Sequence, residues 1–282
     1  MNTLKSPRSI TDSAFFSPVH SLDKLEIRRH LDEQERSAKA SGAQVIVGPV
    51  QGDTWHSYRC VLEDSGARPF FLEPFRGESD NYKELSEVLA ARGYKVIARF
   101  LSTSIPAGAT DSGARSIYQI DQTASGLTVK AFNSQDFMGQ LADIYRLSVL
   151  SFKDNYLYKP ITFENFVDLY RPLQALINSE LVTMVYDGAE LVGLSLCLPD
   201  LNEKNRFILK TLVRHPAKKY SGLGRALVQE SVKVAARQGF KQVIFALYKA
   251  DGSSAYIADF YPTTALRSYG LYARDLAGEG NS

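Results

Sequence analysis

Residues 206–248 read RFILKTLVRHPAKKYSGLGRALVQESVKVAARQGFKQVIFALY. The first part of this stretch is mostly apolar, which is typical of a strand with little solvent contact. Pro216 ends the strand, because proline has no N–H to give to a ladder. A loop at 218–224 contains two glycines, and the helix after it ends at Gly239, a natural site for a left-handed cap. The apolar run 242–248 predicts a central strand, so the order is strand, glycine loop, helix, strand.

The glycine loop is suited to binding an anion. Glycine lets the backbone come close to a ligand. Because the loop opens a helix, free N–H groups and the positive end of the helix dipole point to one place. Lys218, Lys219 and Arg225 add positive charge, so a diphosphate is the expected ligand. Neither the dinucleotide pattern GxGxxG nor the P-loop pattern is present, and a turn with glycines for tight packing is the alternative.

The order of these parts resembles the acyl-CoA-binding motif of the GNAT superfamily of N-acyltransferases. The family loop has Gln or Arg, two variable residues, Gly, one variable residue, then Gly or Ala. This chain has KYSGLG at 219–224, and LVRHP at 212–216 where the family commonly has V-x-P. The resemblance implies that the loop amides hold the CoA pyrophosphate and that the preceding strand end pairs with the pantetheine arm. The expected acetyl-CoA contacts are Leu212, Val213, Lys218, Lys219, Tyr220, Ser221, Gly222, Leu223, Gly224, Arg225 and Ser254.

The resemblance covers roughly residues 126–274 and implies an α/β fold of GNAT type: a mixed, mostly antiparallel sheet with a V-shaped splay, flanked by helices. The rest of this half has matching signals. A strand is predicted from 127, a helix capped by Asn133 or Ser134, a second helix over about 162–178, and a hairpin around Asp187 and Gly188. We therefore assign residues 111–282 to a complete acyl-CoA-binding domain.

Residues 1–110 are interpreted as a partial, degenerate GNAT-like domain. AKASGAQVIV at 38–47 repeats the pattern of AARQGFKQVIF at 235–245, with a helix, a glycine and a Val-Ile strand. This half has no glycine loop, so it should not bind CoA by itself. Its segments 48–59 and 70–75 resemble uncharacterised bacterial tandem GNAT-like proteins.

Two stretches outside these domains' predicted cores are expected to be irregular. Residues 1–21 are rich in Ser, Pro and Thr, which predicts a loosely held arm. Residues 105–126 are rich in small and polar residues and predict a linker, with a short strand at 117–120.

Acyl transfer to an amine needs a group to take the amine proton and an acid for the leaving thiolate. In the family a tyrosine after the fifth strand often serves as the acid, and Tyr261 is the equivalent, although Pro262 replaces the usual glycine. Core packing is the alternative for Tyr261. Many family members have a glutamate on the motif strand that serves as the general base, and this chain lacks it. A water chain or another domain is then left to serve as base.

Four residues are candidates to contact the acceptor substrate. Lys210 is a charge within an apolar strand and could hold a carboxylate, unless it is simply a solvated edge lysine. Trp55 and Arg59 follow a strand end, where loops often line clefts, with core packing as the alternative. Asn155 lies in a loop predicted over 151–160.

Composition excludes several classes of function. The net charge of +2 gives no signature of nucleic-acid binding, and no run of about 18 apolar residues is present to span a membrane. Neither Cys60 and Cys197 nor the four histidines have metal-ligand spacing, so no metal is expected. No secretory signal is recognised at the N-terminus, and a cytoplasmic location is the expectation.

The leading prediction is an N-acetyltransferase that moves an acetyl group from acetyl-CoA to an amine of a small molecule or peptide. One alternative is an aminoacyl or longer-acyl transferase of tandem GNAT type. The other is a non-catalytic acyl-CoA sensor, favoured by the missing glutamate. The acceptor and the oligomeric state, with a homodimer among the options, are left open.

Overall fold

The computed structural model describes residues 13–56, 58–65, 82–114, 126–155 and 157–277. Contacts between Cα atoms divide the chain into two units. The first comprises Met1–Leu101, Lys249–Asp251 and Ala265–Ser282, and the second comprises Ser102–Tyr248 and Gly252–Thr264.

The first unit contains a sheet with the strand order β1-β2-β10-β4, and β3 also pairs with β10. Its strands are β1 (Ser13–Phe15), β2 (Val45–Gly48), β3 (Cys60–Asp64), the first part of β4 (Lys95–Pro106) and β10 (Thr264–Asp275). Its helices are α1 (Lys24–Ala40) and α2 (Tyr82–Ala91).

Strand β1 corrects part of the prediction for the N-terminal arm. Ser13 to Phe15 pair in parallel with β2, and the next residue, Phe16, is completely buried. A Cβ on Gly48 would lie only 2.4 Å from the Phe16 ring, so glycine is needed at this close approach. The expectation of a loose arm was wrong for these residues, because two adjacent phenylalanines supply an apolar anchor.

Helix α1 is fixed to the first unit by an apolar stripe and by one buried carboxylate. Asp23 caps it by accepting the Leu25 N–H, and the buried residues Ile27, Leu31, Glu35 and Ala38 recur at helical spacing. Three side chains hydrogen-bond or ion-pair with Glu35: Arg92, Tyr94 and Arg274. Burial alone would raise the pKa of Glu35, but these partners outweigh burial and lower it below its ordinary value.

The second unit contains a sheet with the order β4-β9-β8-β7-β6-β5, in which β4 contributes its residues from Ser102 onward. The other strands are β5 (Leu127–Ala131), β6 (Val182–Asp187), β7 (Glu190–Pro199), β8 (Arg206–Arg214) and β9 (Gln242–Lys249). The helices of this unit are α3 (Phe137–Phe152), α4 (Phe163–Tyr170), α5 (Leu223–Arg237) and α6 (Ser253–Ala258). Helices α3 and α5 both pack against β7 and β8.

Strands β8 and β9 diverge, as the family resemblance implied. They pair in parallel only from Arg206 with Gln242 to Leu209 with Phe245, although both strands continue for several residues. The neighbouring pairs along β5 to β8 are antiparallel. The sheet is therefore mixed and mostly antiparallel, with a splay between β8 and β9 and helices packed against it.

Several boundaries in the structure differ from the predicted ones. The second helix ends at Tyr170 and continues as a 3-10 helix (Arg171–Leu176), because Pro172 has no N–H to continue the α-helical pattern. Strand β4 extends to Pro106, so the predicted linker begins later than residue 105. The units divide after Leu101 rather than residue 110, and β10 from residue 265 onward falls in the first unit. The segments 70–75 and 117–120 lie outside the described residues.

Candidate functional site

The glycine loop leaves a set of free amides at the start of α5. A 3-10 turn (Lys218–Tyr220) is followed by Gly222 with a φ of 89°, in the left-handed region that favours glycine. The first helical hydrogen bond runs from the Ala226 N–H to the Gly222 carbonyl at 3.2 Å. Among the described residues, no backbone carbonyl accepts from the amides of Leu223, Gly224 or Arg225. These three N–H groups thus have no backbone partner and lie at the positive end of the helix dipole, the arrangement with which helix starts bind anions.

Gly224 has a packing role in addition to any role in binding. A Cβ at this position would lie 3.2 Å from Cδ1 of Ile257, closer than ordinary van der Waals contact. Ile257 belongs to α6, so the absence of a side chain lets α6 pack closely against the first turn of α5. The packing explanation considered for the loop glycines therefore applies to Gly224.

Two loop side chains attach the loop to the β6–β7 hairpin. The Lys219 Nζ lies 2.9 Å from Oδ2 of Asp187, and the Tyr220 hydroxyl donates to the same oxygen at 2.7 Å. Tyr220 is buried, and its ring meets His215 edge-on with centroids 5.1 Å apart. The Lys219 ammonium and the Tyr220 hydroxyl hold the pKa of Asp187 below its ordinary value. Lys219 is therefore engaged within the chain, whereas Lys218 is exposed.

Arg225 is also engaged within the chain. Its Nε and Nη2 donate to the two carboxylate oxygens of Asp111 at 2.8 and 2.6 Å. The guanidinium carbon lies 3.6 Å from the centre of the Phe260 ring. The side chain of Asp111 is only 2% exposed, so the positive charge of Arg225 is balanced by a buried carboxylate.

The residues expected to pair with pantetheine lie on the splayed part of β8. Leu212 and Val213 pair with Ser195 and Leu194 of β7 on one side. On the other side the pairing with β9 stops at Leu209, so this edge of β8 faces the splay. Ser254, also expected to contact CoA, lies half-buried in α6.

The structure places Tyr261 in the hydrophobic core of the second unit. It is 5% exposed and meets Phe245 edge-on with centroids 5.7 Å apart. Its hydroxyl donates to Oε1 of Gln229 at 3.4 Å, an oxygen that also accepts the Asp111 N–H at 2.7 Å. Burial, with a further contribution from the Asp111 charge, raises the pKa of Tyr261 well above its ordinary value. The phenol is therefore protonated at neutral pH.

The four residues predicted to contact the acceptor substrate are divided between the two units. Lys210 is half-buried at a β-bulge of β8, where the register with β7 shifts between Leu196 and Cys197. Asn155 is exposed in the turn after α3. In the first unit, the Trp55 N–H donates to Asp53 at 2.9 Å, and the Arg59 guanidinium carbon lies 4.5 Å from the centre of the Tyr58 ring.

A cavity of about 190 Å³ lies beside the hairpin and is lined by Asp143, Arg146, Leu147, Leu150, Ala189, Glu190, Leu191 and His215. His215 accepts the Ala217 N–H on Nδ1 at 3.1 Å, which leaves Nε2 to carry the proton of the neutral ring. That nitrogen lies 3.6 Å from Oε1 of Glu190. His215 thus supports the turn into the glycine loop.

Sequence reasoning missed two residues that contact predicted site residues: Asp111, which pairs with Arg225, and Gln229, which accepts from Tyr261. Asp111 lay in a stretch interpreted as a linker, and Gln229 lay on a helix with no distinguishing motif. Both act through long-range contacts, and no local pattern could reveal them. Within the described ranges, no group of three or more His, Cys, Asp or Glu side chains could hold a metal ion. None of the helices in those ranges is long and apolar enough to cross a membrane.

Comparisons with known proteins identify the fold. No family model matches the sequence, and no curated protein matches it. A GCN5-related N-acetyltransferase from Sphaerobacter thermophilus is similar in structure, with a TM-score of 0.56 and 12% identity over 88% of this chain and 67% of that one. A tandem GNAT protein from the clavulanic acid biosynthesis pathway has a TM-score of 0.50 and 10% identity over 90% of this chain and 70% of that one. The chain therefore has the GNAT fold.

Proposed function

We propose that this protein is an N-acyltransferase that moves an acetyl group from acetyl-CoA to an amine of a small molecule or peptide. The observation that supports this best is the set of three free amides at the start of α5, directly after a strand that splays from its neighbour. An anion-binding helix start next to an open strand edge suits a ligand with a diphosphate and an amide-containing arm. Coenzyme A has both parts.

In the proposed complex, the amides of Leu223, Gly224 and Arg225 bind the diphosphate. The arm pairs with the edge of β8 that faces the splay, around Leu212 and Val213, and the thioester lies in the splay. The amine nitrogen attacks the thioester carbonyl carbon, and the C–S bond breaks as the tetrahedral intermediate collapses. The sulfur takes a proton, and the amine gives one up, so the products are an amide and the free thiol.

Tyr261 is proposed as the acid for the departing thiolate. A phenol that stays protonated at neutral pH can donate to sulfur, because the thiol reference pKa of about 8.5 lies below that of a phenol. The Gln229 contact at 3.4 Å is long, so the hydroxyl is only weakly held. The base is proposed to be water, since Lys210 stands in the region of β8 where the family commonly has its glutamate.

A non-catalytic acyl-CoA sensor is the second candidate. It is favoured by the placement of Tyr261, whose hydroxyl is buried and directed to Gln229 of α5. A hydroxyl that stays in the core cannot donate a proton to the CoA sulfur. The protein would then bind acyl-CoA without transferring the acyl group.

Two measurements separate these functions. Thermal shift with acetyl-CoA, longer acyl-CoAs and free CoA tests binding, and we expect acetyl-CoA to raise the melting temperature. Thiol release from acetyl-CoA over a library of amines then tests catalysis, and we expect release that depends on the amine. Stabilisation without thiol release from any amine would favour the sensor, and no stabilisation by any CoA compound would overturn both candidates.

A further inference from the structure

The segment after β4 runs along helix α5 towards the glycine loop. The Ala107 N–H donates to the Lys241 carbonyl at 2.9 Å. A Cβ on Gly108 would lie 3.8 Å from Cβ of Ala236, near the end of α5. The Asp111 N–H donates to Gln229 at 2.7 Å, two turns earlier in the helix. The segment therefore reaches the first turn of α5, where the free amides are.

At that point the Asp111 carboxylate and the Arg225 guanidinium form a bidentate ion pair. Both oxygens are used by the guanidinium, at 2.8 and 2.6 Å, and Oδ1 also accepts the Gly113 N–H at 2.9 Å. A Cβ on Gly113 would lie 2.7 Å from Nη2 of Arg225, so glycine permits this approach. A bidentate pair between arginine and a carboxylate is a strong, charge-assisted interaction. Arg225 lowers the pKa of Asp111, so the carboxylate is ionised at neutral pH.

The ion pair changes what the loop offers to an anion. Arg225 is the third residue of α5, on the turn whose amides lack carbonyl partners. Its guanidinium is the cation best placed to assist those amides, yet a carboxylate with 2% exposure balances its charge. Lys219 is likewise bonded to Asp187. Of the three loop cations Lys218, Lys219 and Arg225, only the exposed Lys218 is then left to assist the free amides.

We propose that Asp111 limits the affinity of the α5 loop for the phosphates of CoA by keeping Arg225 in an internal ion pair. This inference rests on the proposed function of the loop. Removal of the charge of Asp111 should release Arg225 to the ligand and remove a nearby negative charge. Asp111 is then a residue that sets ligand affinity through Arg225 without touching the ligand.

The test compares CoA dissociation constants by titration calorimetry for the wild type, Asp111→Asn, Arg225→Gln and the double variant. Asparagine keeps the shape of the side chain and an acceptor for the Gly113 N–H. We expect Asp111→Asn to bind CoA about tenfold more tightly at 25 mM NaCl, as one charged hydrogen bond would give. The gain should shrink at 500 mM NaCl, because salt screens an exposed charge contact. A purely structural role would not produce this salt dependence.

Arg225→Gln is the matched control, since it removes the other member of the pair. In the wild-type background this change leaves the buried Asp111 carboxylate without its cation near the phosphate site, so we expect weaker CoA binding. In the Asp111→Asn background the same change should abolish the gain, which is a coupling that a double-mutant cycle measures.

The outcomes distinguish this inference from the proposed function. A folded Asp111→Asn protein with unchanged or weaker CoA binding overturns the inference alone. So does a double variant that keeps the tighter binding, because the gain would then not come from Arg225. If Asp111→Asn fails to fold, Asp111→Ser removes the same charge and the same two outcomes apply. If neither the wild type nor Asp111→Asn binds CoA, the proposed function is overturned and the inference with it.

Discussion

At the scale of single residues, the Tyr261 hydroxyl distinguishes an enzyme from a binding protein. Removal of this oxygen in Tyr261→Phe should lower turnover by about a hundredfold, because that is a typical contribution of a general acid. Affinity for acetyl-CoA should stay within about twofold, since the buried ring remains in place. Thiol-release kinetics and titration calorimetry with an identified acceptor measure the two quantities.

Tyr248 offers a control for this experiment. It lies on β9 of the same unit, and its hydroxyl pairs with Thr103 at 3.1 Å. Tyr248→Phe also removes one phenolic oxygen, and we expect it to keep most of the turnover. Full activity in Tyr261→Phe, or an equal loss in both variants, would assign Tyr261 to packing.

Glu35 gives a prediction about stability and pH. Glu35→Gln removes a buried charge that faces Arg92 and Arg274, and should lower the free energy of unfolding by about 2–3 kcal/mol at pH 7. Because the folded pKa of Glu35 is lowered, its contribution is complete above the unfolded value of about 4.5 and is lost as the pH falls through the folded value. The difference from the wild type should therefore shrink below about pH 4.5.

Urea unfolding at several pH values measures this difference. The control is Asp32→Asn, which removes a carboxylate that contacts the same Arg92 at 2.6 Å but is 52% exposed. An exposed ion pair contributes little, so we expect a loss of about 0.5 kcal/mol or less. Equal losses in the two variants would contradict the central role of Glu35.

At the scale of elements, the position of α5 depends on a missing side chain in β7. A Cβ on Gly193 would lie 2.8 Å from Cδ2 of Leu223 and 3.2 Å from Cδ1 of Leu227. Gly193→Ala should therefore push the first turn of α5 outward, lower the free energy of unfolding by about 1–3 kcal/mol and weaken CoA binding.

A second variant tests whether that contact is the cause. Leu223→Ala alone should cost about 2–5 kcal/mol, because it leaves a cavity at a fully buried site. The double variant should lose at least about 1 kcal/mol less than the sum of the single losses, since the smaller side chain makes room for the new methyl group. Additive losses in urea unfolding would rule out this steric explanation.

The elements that carried local signals could be predicted, and those that depend on distant contacts could not. Strand β8, helix α5 and strand β9 lie close to where the apolar runs, Pro216 and Gly239 placed them. The linker was predicted to start at residue 105, whereas β4 continues to Pro106. In this part of β4, Ser102, Thr103 and Ser104 are polar. All three are buried, which composition alone does not reveal. The loop was predicted from its own glycines. The role of Asp111 was not predicted, because it depends on a contact with Arg225, 114 residues away in the chain.

At the scale of the whole molecule, the division of strands between the two units does not follow their order in the chain. Strand β10 is the last strand along the described residues, yet it pairs with β2 and β3 of the first unit. Strand β4 is shared, since the two units divide within it. Strand pairing over such separations depends on tertiary packing, so the sequence could indicate two related halves without showing which strands each one holds. The interpretation of residues 1–110 as a degenerate half stays a prediction.

That interpretation predicts one CoA site per chain. The full chain should bind acetyl-CoA with a stoichiometry of one in titration calorimetry, because the sequence places a glycine loop in the second half alone. Gly222→Asp should weaken this site more than tenfold, since it adds a negative charge where the diphosphate is expected. Gly222→Asn is the matched control, because it imposes similar strain at a φ of 89° without the charge, and it should lose less affinity. Two sites in the wild type would contradict the interpretation of the first half as degenerate. One unaltered site in a folded Gly222→Asp protein would contradict the assignment of the diphosphate to the glycine loop.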